Sequence, residues 1–367
     1  MGVALFDLQS QYLNLRSEIN EAVGDVLAAG RYILGPRVQM LEEQVAGYCG
    51  VKYGVGVASG TDAIFLSLVA CGIGEGDEVI TTPYTFFATA GAISRAGATP
   101  VFADIDPLTY NIDPEKIEAG ITGRTKAVIP VHIFGQMADM DAILTLARKY
   151  NLVVIEDACQ ALGSENRGRK AGSLGVAGCV SFFPTKNLGC CGDGGMVITS
   201  DEKIAAKIKA LRAHGSSKKF FHDTAGCNSR LDEIQAAILL VKLKYLEEWL
   251  DERAALAAHY SRLLTDIVET PFVMPGNRHT YHLYVIRAPQ RELIKKYLEK
   301  NDVSCGMYYP LPLHLQVAYE SLRYRKGDFP EAEKASETLL AIPLYPELAL
   351  SEAERIALLI RRGIAGE

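Results

Sequence analysis

One lysine of the sequence has a setting suited to covalent chemistry on a carbonyl compound. Lys186 lies in a short turn between two apolar stretches, residues 178–182 and 196–200, which are typical of buried strands. Desolvation between buried strands lowers the pKa of a lysine ammonium group and favours the nucleophilic amine. Taken alone, the residue is better explained as a loop lysine that faces water.

A carboxylate about one strand–helix unit upstream favours a catalytic role for this lysine. Asp157 ends the apolar run at residues 153–157. Ligands bind at such strand ends in open α/β sheets, although a helix N-cap or a surface carboxylate is a simpler explanation for a lone aspartate. A lysine that forms a Schiff base and an aspartate that holds a pyridinium nitrogen are the two groups required by enzymes that use pyridoxal phosphate. The pair therefore indicates this cofactor.

Three further positions supply groups that the cofactor needs. Residues 59–62, with Gly60 and Thr61, mark a strand-to-helix junction whose free N–H groups can bind a phosphate, although simple helix capping is commoner. Phe86 follows the next predicted strand and could stack on a flat ring, or equally be a core aromatic. Gln160 lies one helical turn beyond the aspartate and could point to the same place.

Two later segments carry groups suited to a substrate. Arg230 offers a planar fork that matches a carboxylate or a phosphate. Asn228 and Ser229, just before it, are natural N-caps for the helical region that follows. Residues 308–314 form a loop stiffened by prolines that could line the rim of a pocket. The alternative is that this loop only packs between the two domains.

Strands alternate with helices over most of the chain, which predicts a mainly parallel seven-stranded sheet sandwiched by helices. Residues 231–263 are predicted to form one long helical region leading out of this unit. A strand at residues 281–286 and two helices follow. We therefore predict a large domain of residues 1–245 and a smaller α+β C-terminal domain of residues 246–367. The predicted strands of the sheet are residues 53–59, 78–82, 100–104, 127–131, 152–157, 178–182 and 196–200.

Composition narrows the class of protein. The net charge of −6 argues against a nucleic-acid partner or an anionic membrane surface. No apolar run is long enough to span a membrane and no signal peptide is evident, so we expect a cytoplasmic protein. Eight cysteines without CxxC spacing are expected to be reduced thiols, and no metal site is predicted.

Six motifs, taken in order and spacing, resemble the DegT/DnrJ/EryC1/StrS family of sugar aminotransferases. The family belongs to the fold-type I pyridoxal phosphate superfamily, and the resemblance covers nearly the whole chain. The matching motifs are YILGP at 32–36, ASGTDA at 58–63, PYTF at 83–86, EDACQ at 156–160, SFFPTK at 181–186 and NSRLD at 228–232.

The resemblance implies a role for each cofactor-site residue. Lys186 would form the Schiff base and move a proton, and Asp157 would pair with the pyridine nitrogen. Gln160 would hydrogen-bond the ring's phenolic oxygen while Phe86 stacks on one face. Three residues of the same chain would hold the phosphate: Gly60, Thr61 and Ser181. In a homodimer, Asn228 of the neighbouring subunit would reach the same phosphate.

The resemblance also implies a reaction. Members that dehydrate have histidine in place of the lysine, so Lys186 favours transfer of an amine from glutamate to a keto-sugar linked to a nucleoside diphosphate. Within the family, the chain most resembles enzymes that act on 3-keto sugars. One such sugar is UDP-2-acetamido-2-deoxy-3-oxo-glucuronate, whose carboxylate Arg230 would bind. Tyr32, Tyr309 and His314 are further predicted substrate contacts.

Several alternatives stay open. Within the family these are a nucleotide-sugar 4-aminotransferase and a dTDP-3-keto-6-deoxyhexose aminotransferase. A cysteine desulfurase or an amino-acid transaminase would share the fold but usually has an arginine for the substrate α-carboxylate, and Arg323, Arg325, Arg361 and Arg362 have no assigned role. A regulator that binds the cofactor without turnover is the third alternative.

Overall fold

A seven-stranded sheet forms the centre of the computed structural model, which describes residues 2–218 and 220–366. The spatial order is β1-β7-β6-β5-β4-β2-β3, and only β7 runs antiparallel to its neighbours. This topology confirms the predicted mainly parallel sheet. The strands are β1 (Tyr53–Val57), β2 (Glu78–Thr81), β3 (Thr99–Phe102), β4 (Thr125–Val128), β5 (Val153–Asp157), β6 (Ala177–Ser181) and β7 (Gly195–Thr199).

Helices cover both faces of this sheet, as an almost wholly buried parallel sheet requires. Successive strand residues alternate between two apolar cores, so that Val79 packs toward one layer of helices and Ile80 toward the other. The helices are α1 (Leu8–Ala29), α2 (Pro36–Cys49), α3 (Gly60–Ala70), α4 (Ala88–Arg95), α5 (Pro114–Ala119), α6 (Met140–Tyr150), α7 (Glu202–Leu211), α8 (Glu233–Leu243), α9 (Leu246–Leu264), α10 (Arg291–Lys300), α11 (Pro330–Thr338) and α12 (Leu350–Ala365).

The predicted long helical region at residues 231–263 is two helices. Helix α8 ends before Lys244, and a tight turn in which the Tyr245 N–H bonds the Lys242 carbonyl at 3.0 Å separates it from α9. Asp232 is the N-cap of α8, where its side chain accepts from the Gln235 N–H at 2.8 Å. The expectation that Asn228 or Ser229 caps this helix is therefore wrong.

The C-terminal part pairs two antiparallel strands, Tyr284–Arg287 and Leu339–Ile342, against α9, α10 and α12. Val3, near the other end of the chain, joins the same apolar core. The division at residue 245 stays a prediction. The strand predicted at residues 281–286 begins only at Tyr284, because the residues before it form a turn.

Other sequence expectations concern thiols, membranes and metals. All eight cysteines are free thiols. None of the helices in the described ranges combines the length and the apolar character needed to cross a membrane. Within the same ranges, no group of three or more His, Cys, Asp or Glu side chains is placed to hold a metal ion.

Candidate active site

A cavity of about 490 Å³, here called the cleft, opens at the carboxyl ends of β5 and β6. The sheet side contributes the ends of two strands and the start of α3. The opposite wall comes from residues before the C-terminal strand pair and from the loop at residues 308–309. Eight of the residues predicted from the sequence line the cleft: Gly60, Thr61, Phe86, Asp157, Gln160, Ser181, Lys186 and Tyr309.

Lys186 reaches the cleft from the turn that follows β6. Its backbone N–H bonds the Phe183 carbonyl at 2.8 Å, which closes the turn. Burial lowers the pKa of the ammonium group, and the nearby Cys159 and Asp157 offset this effect in part. A lowered pKa increases the fraction of free amine, which nucleophilic and base chemistry both require.

Asp157, the last residue of β5, is only 5% exposed and has two neighbouring donors. The Thr89 hydroxyl donates to one carboxylate oxygen at 2.8 Å, and the Cys159 N–H donates to the other at 3.2 Å. These bonds fix the direction of the carboxylate. Sequence reasoning missed Thr89, because its hydroxyl meets Asp157 only when the first turn of α4 reaches the end of β5 in the folded chain.

Gln160 is held in one orientation between the two walls. Its side-chain oxygen accepts the Phe134 N–H at 2.8 Å, and its nitrogen donates to the Tyr309 hydroxyl at 3.1 Å. The Tyr309 ring lies 6.0 Å from the Phe86 ring between centroids. Phe86 is 57% exposed, so much of its side chain remains free to contact a bound ring.

The start of α3 forms a close junction with the ends of β5 and β6. Ser59 caps the helix by accepting the Asp62 N–H at 3.1 Å. A Cβ at Gly60 would lie 2.7 Å from the sulfur of Cys159 and 2.8 Å from the Cβ of Ser181. Only glycine fits this approach, which brings the N–H end of a helix dipole to the cleft.

These features fit pyridoxal phosphate. An amine that can bind an aldehyde and a buried carboxylate that can hold a ring nitrogen share one cleft with a helix N-terminus suited to a phosphate. The cleft walls add an exposed aromatic ring and an oriented amide. No described arginine lines the cleft of a single chain.

We expect Gly60→Ala to lower the affinity of the apoprotein for pyridoxal phosphate by at least about tenfold. The new methyl group would force the start of α3 away from Ser181, and equilibrium titration followed by absorbance measures the affinity. Gly47→Ala, on an exposed part of α2 with no neighbour within 4 Å, is the matched control and should bind normally. Normal binding by Gly60→Ala would show that this junction does not hold the phosphate.

Three predicted residues lie outside the cleft and near each other. The Tyr32 carbonyl accepts the Glu233 N–H at 2.9 Å, which brings the loop before α2 to the segment that carries Asn228 and Arg230. Tyr32 and Asn228 are exposed. The half-buried Arg230 side chain makes no hydrogen bond or ion pair with any residue in the described ranges.

His314 is buried outside the cleft. Its Nε2 lies 3.0 Å from the Glu333 carboxylate, and its ring packs edge-to-face on Phe329 with centroids 4.8 Å apart. Burial lowers the pKa of this imidazole, which the carboxylate offsets in part. The structure does not bring His314 to the cleft wall of the same chain, and its contact with substrate stays a prediction.

Comparison with known proteins gives a family match over most of the chain. The model of the DegT/DnrJ/EryC1/StrS aminotransferase family matches residues 14–361. A crystal structure of DesV from S. venezuelae superposes with a TM-score of 0.96 at 40% identity and covers 98% of both chains. This likeness confirms the predicted fold-type I architecture.

Two relatives illustrate the range of names among similar proteins. A protein of Geobacillus stearothermophilus named pleiotropic regulatory protein is 51% identical over 352 residues, 95% of each chain. The UDP-2-acetamido-2-deoxy-3-oxo-D-glucuronate aminotransferase of Pseudomonas aeruginosa is 42% identical over 347 residues. That match covers 94% of this chain and 96% of the relative.

Proposed function

Because the chain belongs to the DegT/DnrJ/EryC1/StrS aminotransferase family, we propose that it moves the amine of glutamate onto a nucleotide-linked keto-sugar. Aminotransferases of the family depend on pyridoxal phosphate. The observation that carries the proposal is the shared cleft of Lys186 and Asp157 at the ends of two adjacent strands. The substrate panel described below tests it.

The roles of the residues follow from the chemistry of the cofactor, which supplies an electron sink when bound. Lys186 holds the cofactor covalently and then, as a free amine, accepts and returns the proton that moves during amine transfer. Asp157 raises the pKa of the ring nitrogen and keeps it protonated. Gln160 and Phe86 fix the ring, and the Gly60 N–H with neighbouring hydroxyls binds the phosphate.

We propose further that the active site is completed by a second copy of the chain. Asn228 is exposed outside its own cleft, and Arg230 has no partner within the described residues, as expected for groups that act across an interface. Large apolar side chains nearby are also exposed, among them Leu27, Ile33 and Met40. Such a surface favours association with a second molecule.

A complementation experiment tests the shared site. Lys186→Ala and Asn228→Asp should each be inactive in transfer, the second because a carboxylate would repel the phosphate. Unfolding and refolding the two variants together should recover about a quarter of wild-type activity, since half of the dimers are mixed and each has one intact site. Refolding each variant alone is the control. Absence of recovery in mixed dimers would contradict cross-subunit supply by Asn228.

We propose a 3-keto sugar as the acceptor, which is supported by the similarity to the Pseudomonas aeruginosa enzyme. A guanidinium matches a uronate carboxylate through two parallel hydrogen bonds, and Arg230 is available for that contact. Arg230→Ala should raise KM for UDP-2-acetamido-2-deoxy-3-oxo-glucuronate by about 10- to 100-fold. Its KM for a 3-keto sugar without the carboxylate should change little. If KM changed equally for both substrates, or for neither, the uronate assignment would be wrong.

A substrate panel separates the remaining alternatives. It contains the 3-oxo-glucuronate, a dTDP-3-keto-6-deoxyhexose, a nucleotide-linked 4-keto sugar and simple keto acids, each offered with glutamate. Transfer to 3-keto sugars supports the proposal, whereas transfer to keto acids would indicate an amino-acid transaminase. The name of the Geobacillus stearothermophilus relative favours a regulator as the second candidate. Cofactor binding without transfer to any acceptor would support that candidate.

A further inference from the structure

His282 occupies the cleft wall opposite the sheet, and its ring nitrogens have no hydrogen-bond partner among the described residues. The residue is 4% exposed, and it lines the same cavity as Lys186. Its ring stacks at 6.3 Å on Phe6, yet neither ring nitrogen forms a hydrogen bond with any residue in 2–218 or 220–366. Buried polar groups are nearly always hydrogen-bonded, so an unpartnered imidazole in a cleft requires an explanation.

The turn that carries His282 contains a strained backbone conformation. Tyr281 adopts a left-handed conformation with φ of 46°, which is strained for a bulky residue. The buried Arg253 secures the turn by donating to the Tyr281 carbonyl at 3.2 Å. On its other side, the Asn187 side chain donates to the Thr280 carbonyl at 3.3 Å. The His282 turn is therefore tied directly to the residue after Lys186.

The chemistry of the two side chains is complementary. A neutral imidazole offers one acceptor nitrogen and one N–H donor, and an amine offers donors. Burial lowers the pKa of His282 well below its usual value, and the charge of the nearby Arg253 adds to this effect, so its ring stays neutral. The Lys186 amine likewise has no hydrogen-bond partner among the described residues. The tyrosine on the same wall, Tyr309, already accepts from Gln160.

We propose that His282 is a positioning residue for Lys186, whose amine it holds by a hydrogen bond once glutamate has taken the cofactor from the lysine. This inference rests on the proposed function. A released lysine side chain rotates about four bonds, so its amine samples many positions. A fixed hydrogen-bond acceptor keeps the amine within reach of the reacting atoms. The imidazole itself transfers no proton in this arrangement.

The first test observes the imidazole directly in the wild-type holoenzyme. With ¹⁵N-histidine labelling, and with assignment from a His282→Asn variant, glutamate should shift the ring-nitrogen signals of His282 because it releases Lys186. Lys186→Ala loaded with pyridoxamine phosphate should not show the shifted signals. Unchanged His282 signals on adding glutamate would overturn the inference. A shift that occurs only with a nucleotide-linked sugar would also overturn it, because the ring would then contact the substrate.

Kinetics of the glutamate half-reaction provide a second readout. His282→Phe should lower its maximal rate by about tenfold, as the loss of one hydrogen bond implies, with unchanged KM for glutamate. His282→Asn should restore most of the rate, and His259→Asn, on α9 and outside the cleft, should behave as wild type. A normal rate in His282→Phe would contradict this inference alone. A wild-type protein without a bound-cofactor absorbance band would contradict the proposed function as well.

Discussion

Replacing Lys186 with alanine is expected to lower amine transfer by at least about 1,000-fold. The change removes both the covalent attachment of the cofactor and the base that moves the proton. It should also abolish the visible absorbance band that pyridoxal phosphate shows when bound to a lysine. Added pyridoxal phosphate should still bind to the cleft, because Asp157 and the helix N-terminus are untouched. Absorbance spectra and transfer assays on the same preparation measure both effects.

The control for this variant is a lysine on another element. Lys207 on α7 donates to the Ala70 carbonyl at 2.9 Å and lies away from the cleft. Lys207→Ala should therefore keep the band and the activity. A Lys186→Ala protein that retains a lysine-bound band, or more than about a tenth of the rate, would assign the covalent role to another lysine.

The second large effect is expected from Asp157→Asn, which should lower transfer by about 100-fold or more. The amide is nearly the same size but has no charge, so it no longer holds the ring nitrogen in its protonated form. The lysine-bound band should remain, because Lys186 is intact. The loss should therefore occur in turnover with glutamate, as a fall in kcat measured at saturating donor.

Asp104→Asn is the matched control for this carboxylate. Asp104 is also buried near a strand end of the sheet, but it accepts the backbone N–H groups of Glu331 and Ala332 at 3.0 and 2.9 Å. Its replacement should reduce thermal stability and leave the turnover of the folded protein unchanged. Equal losses of kcat in both variants would mean that Asp157 acts through stability and not through the cofactor ring.

The sheet and much of the candidate site are predictable from the sequence for a physical reason. A parallel strand buried on both faces is a short apolar run, so its end is easy to locate. Asp157 and Ser181 each end such a run, and parallel topology brings both ends to the same edge. The alternation of apolar runs with helical spacing therefore predicts which polar residues share the cleft.

Residues whose roles depend on tertiary contacts escape this reasoning. Thr89 is an ordinary helical threonine until folding brings the first turn of α4 to the end of β5. His282 lies in a stretch with strand-like composition, but the buried Arg253 and the left-handed Tyr281 turn it into the cleft. The start of helix α2 also depends on a tertiary contact, since the distant Glu233 carboxylate accepts its first N–H groups. None of these contacts has a local pattern.

The most direct test of the central claim is the absorbance spectrum of the purified wild-type protein through one complete cycle. We predict a band of lysine-bound pyridoxal phosphate that disappears on adding glutamate and returns on adding UDP-2-acetamido-2-deoxy-3-oxo-glucuronate or another nucleotide-linked 3-keto sugar. The return of the band would demonstrate both halves of amine transfer in one sample. A protein that shows no such band after incubation with pyridoxal phosphate, or a band that glutamate leaves unchanged, would contradict the account.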